Sequence, residues 1–260
     1  MHRAILLVAF LISLGLPHTL SFKDVGLGLM RVPQVQRLIS RNLAPTLRRG
    51  NAPGRSAVSM MDTDQSTISR EEALKADFGA AQGLGMILGE KLTKTTAAGE
   101  PLSPPDMEAL KALLSHMDGA RGFYVTTLTM PEFDHAFPSK GVSESLKAAV
   151  VESSTSPKLL AMNLAMSTAM IHAHTENGSE EFEAGSTLTQ GRTKAVISSV
   201  LGDMPQLQVE LRALLAAASG EKGTDEALHE EYTKFLERWG YGEAQRRQIA
   251  EQIAGVLKVL

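Results

Sequence analysis

Three apolar stripes near the C-terminus limit what this chain can fold into more than any other feature. Leu207, Leu211, Leu214, Leu215 and Ala218 are followed by Leu228, Tyr232, Phe235, Leu236 and Trp239, and then by Ile249, Ile253, Val256, Leu257 and Leu260. Each set is spaced i, i+4, i+7, i+8, i+11. That spacing lines one side of an α-helix and cannot line one face of a strand, whose period is two. Successive sets lie 21 residues apart, with Gly220, Gly223, Gly240 and Gly242 in the links. Links this short join antiparallel neighbours, so residues 203–260 are predicted to form a compact three-helix unit. Known helical repeats are longer, which argues against a repeat protein.

Helical signals continue upstream. Ser69-x-x-Glu72 is a capping box and opens a predicted helix of about 25 residues, containing Gly79, Gly83, Gly85 and Gly89. Glycine costs up to about 1 kcal/mol in a helix interior, so four of them imply close approach of another helix onto a small-residue face. The stretch GLGMILG superficially resembles a dinucleotide loop, but such a loop follows a β-strand, and this one follows the helix-forming EEALKADF. A loop over Ala97 to Pro105 and a helix over Asp106 to Met117 are predicted next. Arg121 to Thr129 is the β-branched and aromatic cluster of the chain; it fits a buried helix, an extended core segment or a short hairpin, since a lone strand has no partner. Met130 to Gly141 reads as irregular, pinned to the core by its aromatic residues. Ser156 as cap and Pro157 at the first helical position start a helix that Asn177-Gly178 stops, and Ser179 to Val200 follows as another. The fold class expected is all-α, a single-domain bundle of about six to seven helices.

The N-terminus carries a different message. Met1-His2-Arg3 precedes an apolar run from Ala4 to Leu16, AILLVAFLISLGL, too short to cross a bilayer at roughly 20 residues and suited to a signal-peptide core. Thr19 and Ser21 place cleavage after Ser21 and leave Phe22 at the new end. From Phe22 to Met61 the charged residues are Lys23, Arg31, Arg37, Arg41, Arg48, Arg49 and Arg55 against the single acid Asp24, the composition of an organelle transit peptide. A signal peptide (1–21) joined to a transit-like segment (22–61) beginning with Phe resembles the bipartite plastid presequences of algae whose plastids derive from a red alga by secondary endosymbiosis. That resemblance implies a mature domain over residues 62–260 delivered to the plastid, with the stroma as the expected compartment. A secreted protein with a basic pro-segment is the alternative, and the absence of cysteine argues weakly against it.

The whole chain has 26 Lys and Arg against 29 Asp and Glu. Without the eight basic residues and one acid of residues 1–61, the remainder holds 18 against 28, a net charge of −10. An acidic domain of this kind is a poor ligand for nucleic acid or an anionic membrane, both of which take clustered Lys and Arg. No second apolar run suggests a transmembrane span in the mature chain.

The stretch NLAMSTAMIHAHTENG, residues 163–178, offers a His-x-His next to Glu176. Residues two apart on a helix point about 200° from each other, so His172 and His174 cannot share a metal from a regular helix, and no metal or cofactor is expected. With Leu159 at 0°, Asn163, His174 and Ser167 project to about 40°, 60° and 80°, inside a wide apolar arc that includes Met162, Met166 and Met170, while His172 at about 220° points away. Asn163, Ser167 and His174 are therefore the candidate pocket, with His174 expected buried next to Asn163; a satisfied structural histidine is the plainer reading. Glu132, Asp134 and His135 offer a weaker carboxylate–histidine pairing. No nucleophile elbow, phosphate loop, zinc-protease or calcium motif is present, so no catalytic residue is assigned. Trp239, Tyr241 and Leu260, large apolar groups at helix ends and in a tight link, are the candidate interface. Two functions follow as expectations: a non-enzymatic plastid accessory, assembly or interaction protein with a protein partner, associated for example with a photosynthetic complex; alternatively a small-ligand-binding protein or cofactor-poor enzyme using the pocket around His174.

Overall fold

A computed structural model describes residues 67–137 and 141–258; the expected signal segment (1–21), the expected transit segment (22–61) and Leu260 lie outside them. Among the described residues there are ten α-helices, one 3₁₀ helix and no strand, so the domain is all-α, with more and shorter helices than the six or seven expected. The helices are α1 (Arg70–Lys75), α2 (Phe78–Ala98), α3 (Pro104–Leu114), α4 (Met117–Thr129), α5 (Glu144–Val151), α6 (Ser156–Glu176), α7 (Glu180–Val200), α8 (Pro205–Ser219), α9 (Glu226–Arg238) and α10 (Glu243–Leu257), with the 3₁₀ helix over Pro131–Ala136.

The extra breaks have local causes. Ser69 Oγ does cap the first helix, accepting from Glu72 N at 3.1 Å, yet that helix does not run on for 25 residues. Ala76 is extended and Asp77 caps a new helix, its Oδ1 accepting from Ala80 N at 2.8 Å. An Asp followed by Phe-Gly gains more as a cap than as a helix-interior residue, and the bend turns Ile68, Ala73 and Ala76 into the core. Downstream, Ser103 caps α3 ahead of Pro104 and Pro105. His116 then caps α4, dividing the segment predicted as one helix to Met117.

The β-branched cluster at 121–129 is helical. Gly122 through Leu128 are buried without a gap, and burial on every side overrides the β preference of such residues. Thr127 and Thr129 turn their hydroxyls onto the carbonyls of Phe123 (2.9 Å) and Val125 (2.6 Å). This helix lies against the glycine face of α2: a Cβ on Gly85 would sit 3.2 Å from Phe123 Cα, and one on Gly122 would sit 2.5 Å from Ala81 Cβ. The close approach inferred from the glycines is thus the α2–α4 crossing, and Phe133 of the 3₁₀ helix covers Gly89 on the same side.

The second layer is the α6–α7 hairpin, turned at Asn177-Gly178, with α4 and α5 against α7. Ser156 does not cap α6. Thr155 occupies the cap position, and Ser156 is the first helical residue, its Oγ bonded to Ser153 Oγ at 2.8 Å and to Tyr124 OH at 2.6 Å. The three C-terminal helices form where the stripes place them, and Leu207, Leu211, Leu214, Tyr232, Phe235, Leu236, Ile249, Ile253 and Val256 are buried. α8 is their hub. It packs on α9 and α10, while α10 also packs on α6, so all ten helices share one continuous core.

Candidate functional site

The polar residues of α6 are spent mainly on the helix itself. Ser167 Oγ donates to Asn163 O at 2.7 Å and Thr168 Oγ1 to Leu164 O at 2.7 Å, with Gln190 of α7 donating to Thr168 Oγ1 at 2.9 Å. Asn163 is buried, and its Nδ2 has no hydrogen-bond partner among the described residues. His174 stands eleven residues on, about 16 Å along the axis. It does not adjoin Asn163, nor is it fully buried; it lies against Phe182 with ring centroids 5.5 Å apart. Burial pulls its pKa below the usual histidine value while Glu183 opposes the shift. The three residues therefore do not line one pocket. Asn163 and Ser167 are one turn apart, but three helical turns separate Asn163 from His174 and about two separate Ser167 from it.

His172 is also not on an open side. α10 crosses that flank of α6, so Gln248 Nε2 donates to His172 Nδ1 at 3.3 Å, and His172 Nε2 lies 3.3 Å from Glu176 Oε1. The imidazole bridges two helices and is half-buried.

Two buried charges went unnoticed in the sequence. Arg192, 4 % exposed, lies under the C-terminus of α4: Nη1 donates to Thr127 O at 2.8 Å and Met130 O at 2.7 Å, Nη2 pairs with Asp134, and the guanidinium lies over the Phe137 ring. A cation belongs at a helix C-terminus, where free carbonyls concentrate negative potential. Asp134 is thus paired with Arg192 instead of His135. Glu210 is buried on α8 and accepts from Tyr232 OH at 2.6 Å; burial and the carboxylate push the phenol pKa upward. The only sequence signal for either was a long charged side chain inside a stretch of small or apolar residues. Both arrangements are closed and satisfied; the first joins elements distant in sequence and the second joins the consecutive helices α8 and α9.

The C-terminal corner is built differently. Gly240 takes a positive φ of 63° and turns the chain so that Tyr241 N bonds Leu236 O at 3.1 Å, while Arg246 Nε donates to Tyr241 O at 2.9 Å. This folds Tyr241 inward to 7 % exposure, contrary to its expected place in an interface. Tyr232, Phe235 and Tyr241 form a ladder of edge-to-face rings with centroids 6.3 and 6.2 Å apart. Trp239 stacks on Tyr241 at 6.4 Å and 20° and is the half-exposed end of the ladder. Elsewhere, an open depression of about 430 Å³ runs along the flank of α7 over Glu180, Glu183, Ala184, Thr187 and Leu188.

Among the described residues no group of three or more His, Asp or Glu side chains converges to hold a metal, and no helix is long and apolar enough to cross a membrane. A family model matches residues 85–256, from the middle of α2 to the last turn of α10; it carries the description Uncharacterised conserved protein UCP020893. No curated protein and no solved structure matches the chain.

Proposed function

Because the chain belongs to the family Uncharacterised conserved protein UCP020893, whose match takes in the whole aromatic corner, we propose that it works by contact, binding a protein partner through Trp239. The observation that carries this reading is the ladder: a large ring only partly buried at its outer end, stacked on Tyr241 whose N–H and C=O are both hydrogen-bonded. A rigid aromatic anchor loses little side-chain freedom when a partner covers it, which is why such residues dominate interface energetics. The bipartite presequence supports a plastid stromal setting, and an accessory or assembly factor for a photosynthetic or other plastid complex fits both features. The test is affinity isolation of tagged wild-type and Trp239→Ala protein from plastids. The reading expects a defined partner to be recovered with the wild type and lost with the variant, at unchanged helical content. Equal recovery with both would refute it.

A second reading, a small-ligand binder or cofactor-poor enzyme, draws on Asn163. A buried amide Nδ2 without a partner costs about 1–3 kcal/mol, and a bound acceptor would recover that. A ligand that raises the melting temperature of the wild type but not of Asn163→Leu would favour this reading.

A further inference from the structure

The turn between α6 and α7 reads Asn177-Gly178-Ser179, which has the Asn-x-Ser form of an N-glycan acceptor. The chain contains four asparagines; the other three are followed by Leu-Ala, Ala-Pro and Leu-Ala, so Asn177 alone has a hydroxyl residue two positions on. A three-residue pattern carries little weight without a setting that fits it. An acceptor needs an asparagine that the finished fold leaves in solvent, a hydroxyl that the fold does not consume, and a route through the endoplasmic reticulum lumen.

The turn meets the first two conditions. Thr175, Glu176, Asn177 and Gly178 are exposed. Gly178 takes a positive φ of 63°, and a Cβ built on it meets nothing within 4 Å, so the space around the turn is open. Backbone bonds close the turn without help from the Ser179 side chain: Gly178 N–H donates to Thr175 O at 3.1 Å and Ser179 N–H to His174 O at 2.9 Å. Ser179 occupies the N-cap of α7, where a serine oxygen ordinarily accepts from the first helical turn, yet its side chain makes no cap bond. Asn177 Nδ2 donates to Ala173 O at 2.7 Å. A side-chain amide has two hydrogens, so one remains for this bond after a sugar takes the place of the other.

From this placement we propose that Asn177 is a site of N-glycosylation, its ligand an oligosaccharide delivered from a lipid diphosphate. In the transfer the bond from Nδ2 to C1 of the first sugar forms and the bond from C1 to the diphosphate oxygen breaks. The lipid diphosphate leaves with the electron pair, and Nδ2 gives up one proton to the transferase. Transfer acts on the chain as it enters the lumen, before α6 and α7 close, and Gly178 leaves the middle of the acceptor free to adopt the conformation the transferase requires. The third condition rests on the signal segment expected over residues 1–21, which takes the chain into the endoplasmic reticulum ahead of any second targeting step. The site does not depend on the contact at Trp239, but it constrains that contact. A glycan is bulky and solubilising, so a partner held at Trp239 leaves the α6–α7 turn uncovered. Exposed Glu176, Glu180 and Glu181 keep the same end of the hairpin solvated.

Cell-free translation of the full chain with endoplasmic reticulum microsomes tests it. The wild type should become resistant to added protease and run one step slower on a denaturing gel, and an amide-cleaving glycosidase should remove that step. Ser179→Ala keeps Asn177 and the backbone bonds of the turn, and Asn177→Gln removes the acceptor itself; both should be protected from protease yet unshifted. Ser179→Thr retains the hydroxyl and should shift as the wild type does. A wild type that is protected but unshifted would overturn the proposal, and so would a shift that persists in Ser179→Ala. A wild type left open to protease would overturn it together with the signal-segment reading, while the contact at Trp239 keeps its own separate test.

Discussion

Adding one methyl group at Gly122 should destabilise the domain, although alanine is the better helix former. A Cβ there would meet Ala81 Cβ at 2.5 Å, Ala81 C at 2.8 Å and Gln82 N at 2.9 Å. Two of those three atoms are backbone, so no side chain can rotate away, and ordinary carbon contacts need about 3.5–4.0 Å. α2 and α4 would have to separate by about 1 Å, loosening the packing around Leu84, Leu88 and Phe123, all of which are buried. Overpacking of this kind costs about 1–3 kcal/mol, offset by up to about 1 kcal/mol of helix propensity, leaving a net loss of about 1–2 kcal/mol. The control is Gly83→Ala on the exposed side of α2, where nothing lies within 4 Å of the added carbon; there the propensity term stands alone and should stabilise by about 0.5–1 kcal/mol. Gly85→Ala, with its nearest contact at 3.2 Å, should fall between them. Urea unfolding followed by circular dichroism reads all three, and thermal midpoints should move by about 2–4 °C per kcal/mol for a domain of this size. If Gly122→Ala and Gly83→Ala stabilise equally, the α2–α4 crossing is not as close as described, and the reason given for four glycines in one helix fails.

Arg192→Met should cost about 3 kcal/mol, since it leaves the Thr127 and Met130 carbonyls without their donor; Arg192→Lys should restore less than half, because one ammonium cannot reproduce the fork, and denaturant titration checks both. His174 gives a pH dependence whose sign follows from its lowered pKa: the folded state binds fewer protons than the unfolded chain, so its contribution is present above the unfolded value of about 6.5 and lost as pH falls through the folded value. The slope of stability against pH between about 7 and 5 should therefore flatten in His174→Phe, and an unchanged slope would show that burial against Phe182 does not govern the titration.

Much of the fold was legible because the last three helices are half-buried and surrounded by short glycine-containing links. A helix with one wet face writes its azimuth into the sequence, as Leu207, Leu211 and Leu214 do on α8. α4 has no such contrast. Its residues from Gly122 to Leu128 are buried all round, so the pattern carries no period, and the β-branched residues suggest a strand that tertiary burial overrules. The helix breaks at Asp77 and His116 were hidden for a related reason: each residue is tolerable inside a helix, and only the neighbouring chain makes capping the better use of its side chain.

The candidate site shows where periodicity stops being informative. Projection placed Asn163, Ser167 and His174 on one side of α6, which is sound, but an azimuth contains no axial coordinate and does not say which neighbour covers that side. His172 was read as outward because its own helix offered no apolar company there; α10 supplies the cover through Gln248, and α10 enters the chain some seventy residues later. The same limitation applies to the two aromatic residues flanking Gly240. Trp239 ends the second stripe and Tyr241 lies two residues beyond it, and their similar apolar bulk ranks them together as interface candidates. The positive φ of Gly240 and the bond from Tyr241 N to Leu236 O send Tyr241 into the core and leave Trp239 stacked on it at the surface. A glycine between two aromatic residues can thus convert a symmetric sequence into one buried support and one partly buried outer ring, and it is the support that makes the outer ring a rigid contact.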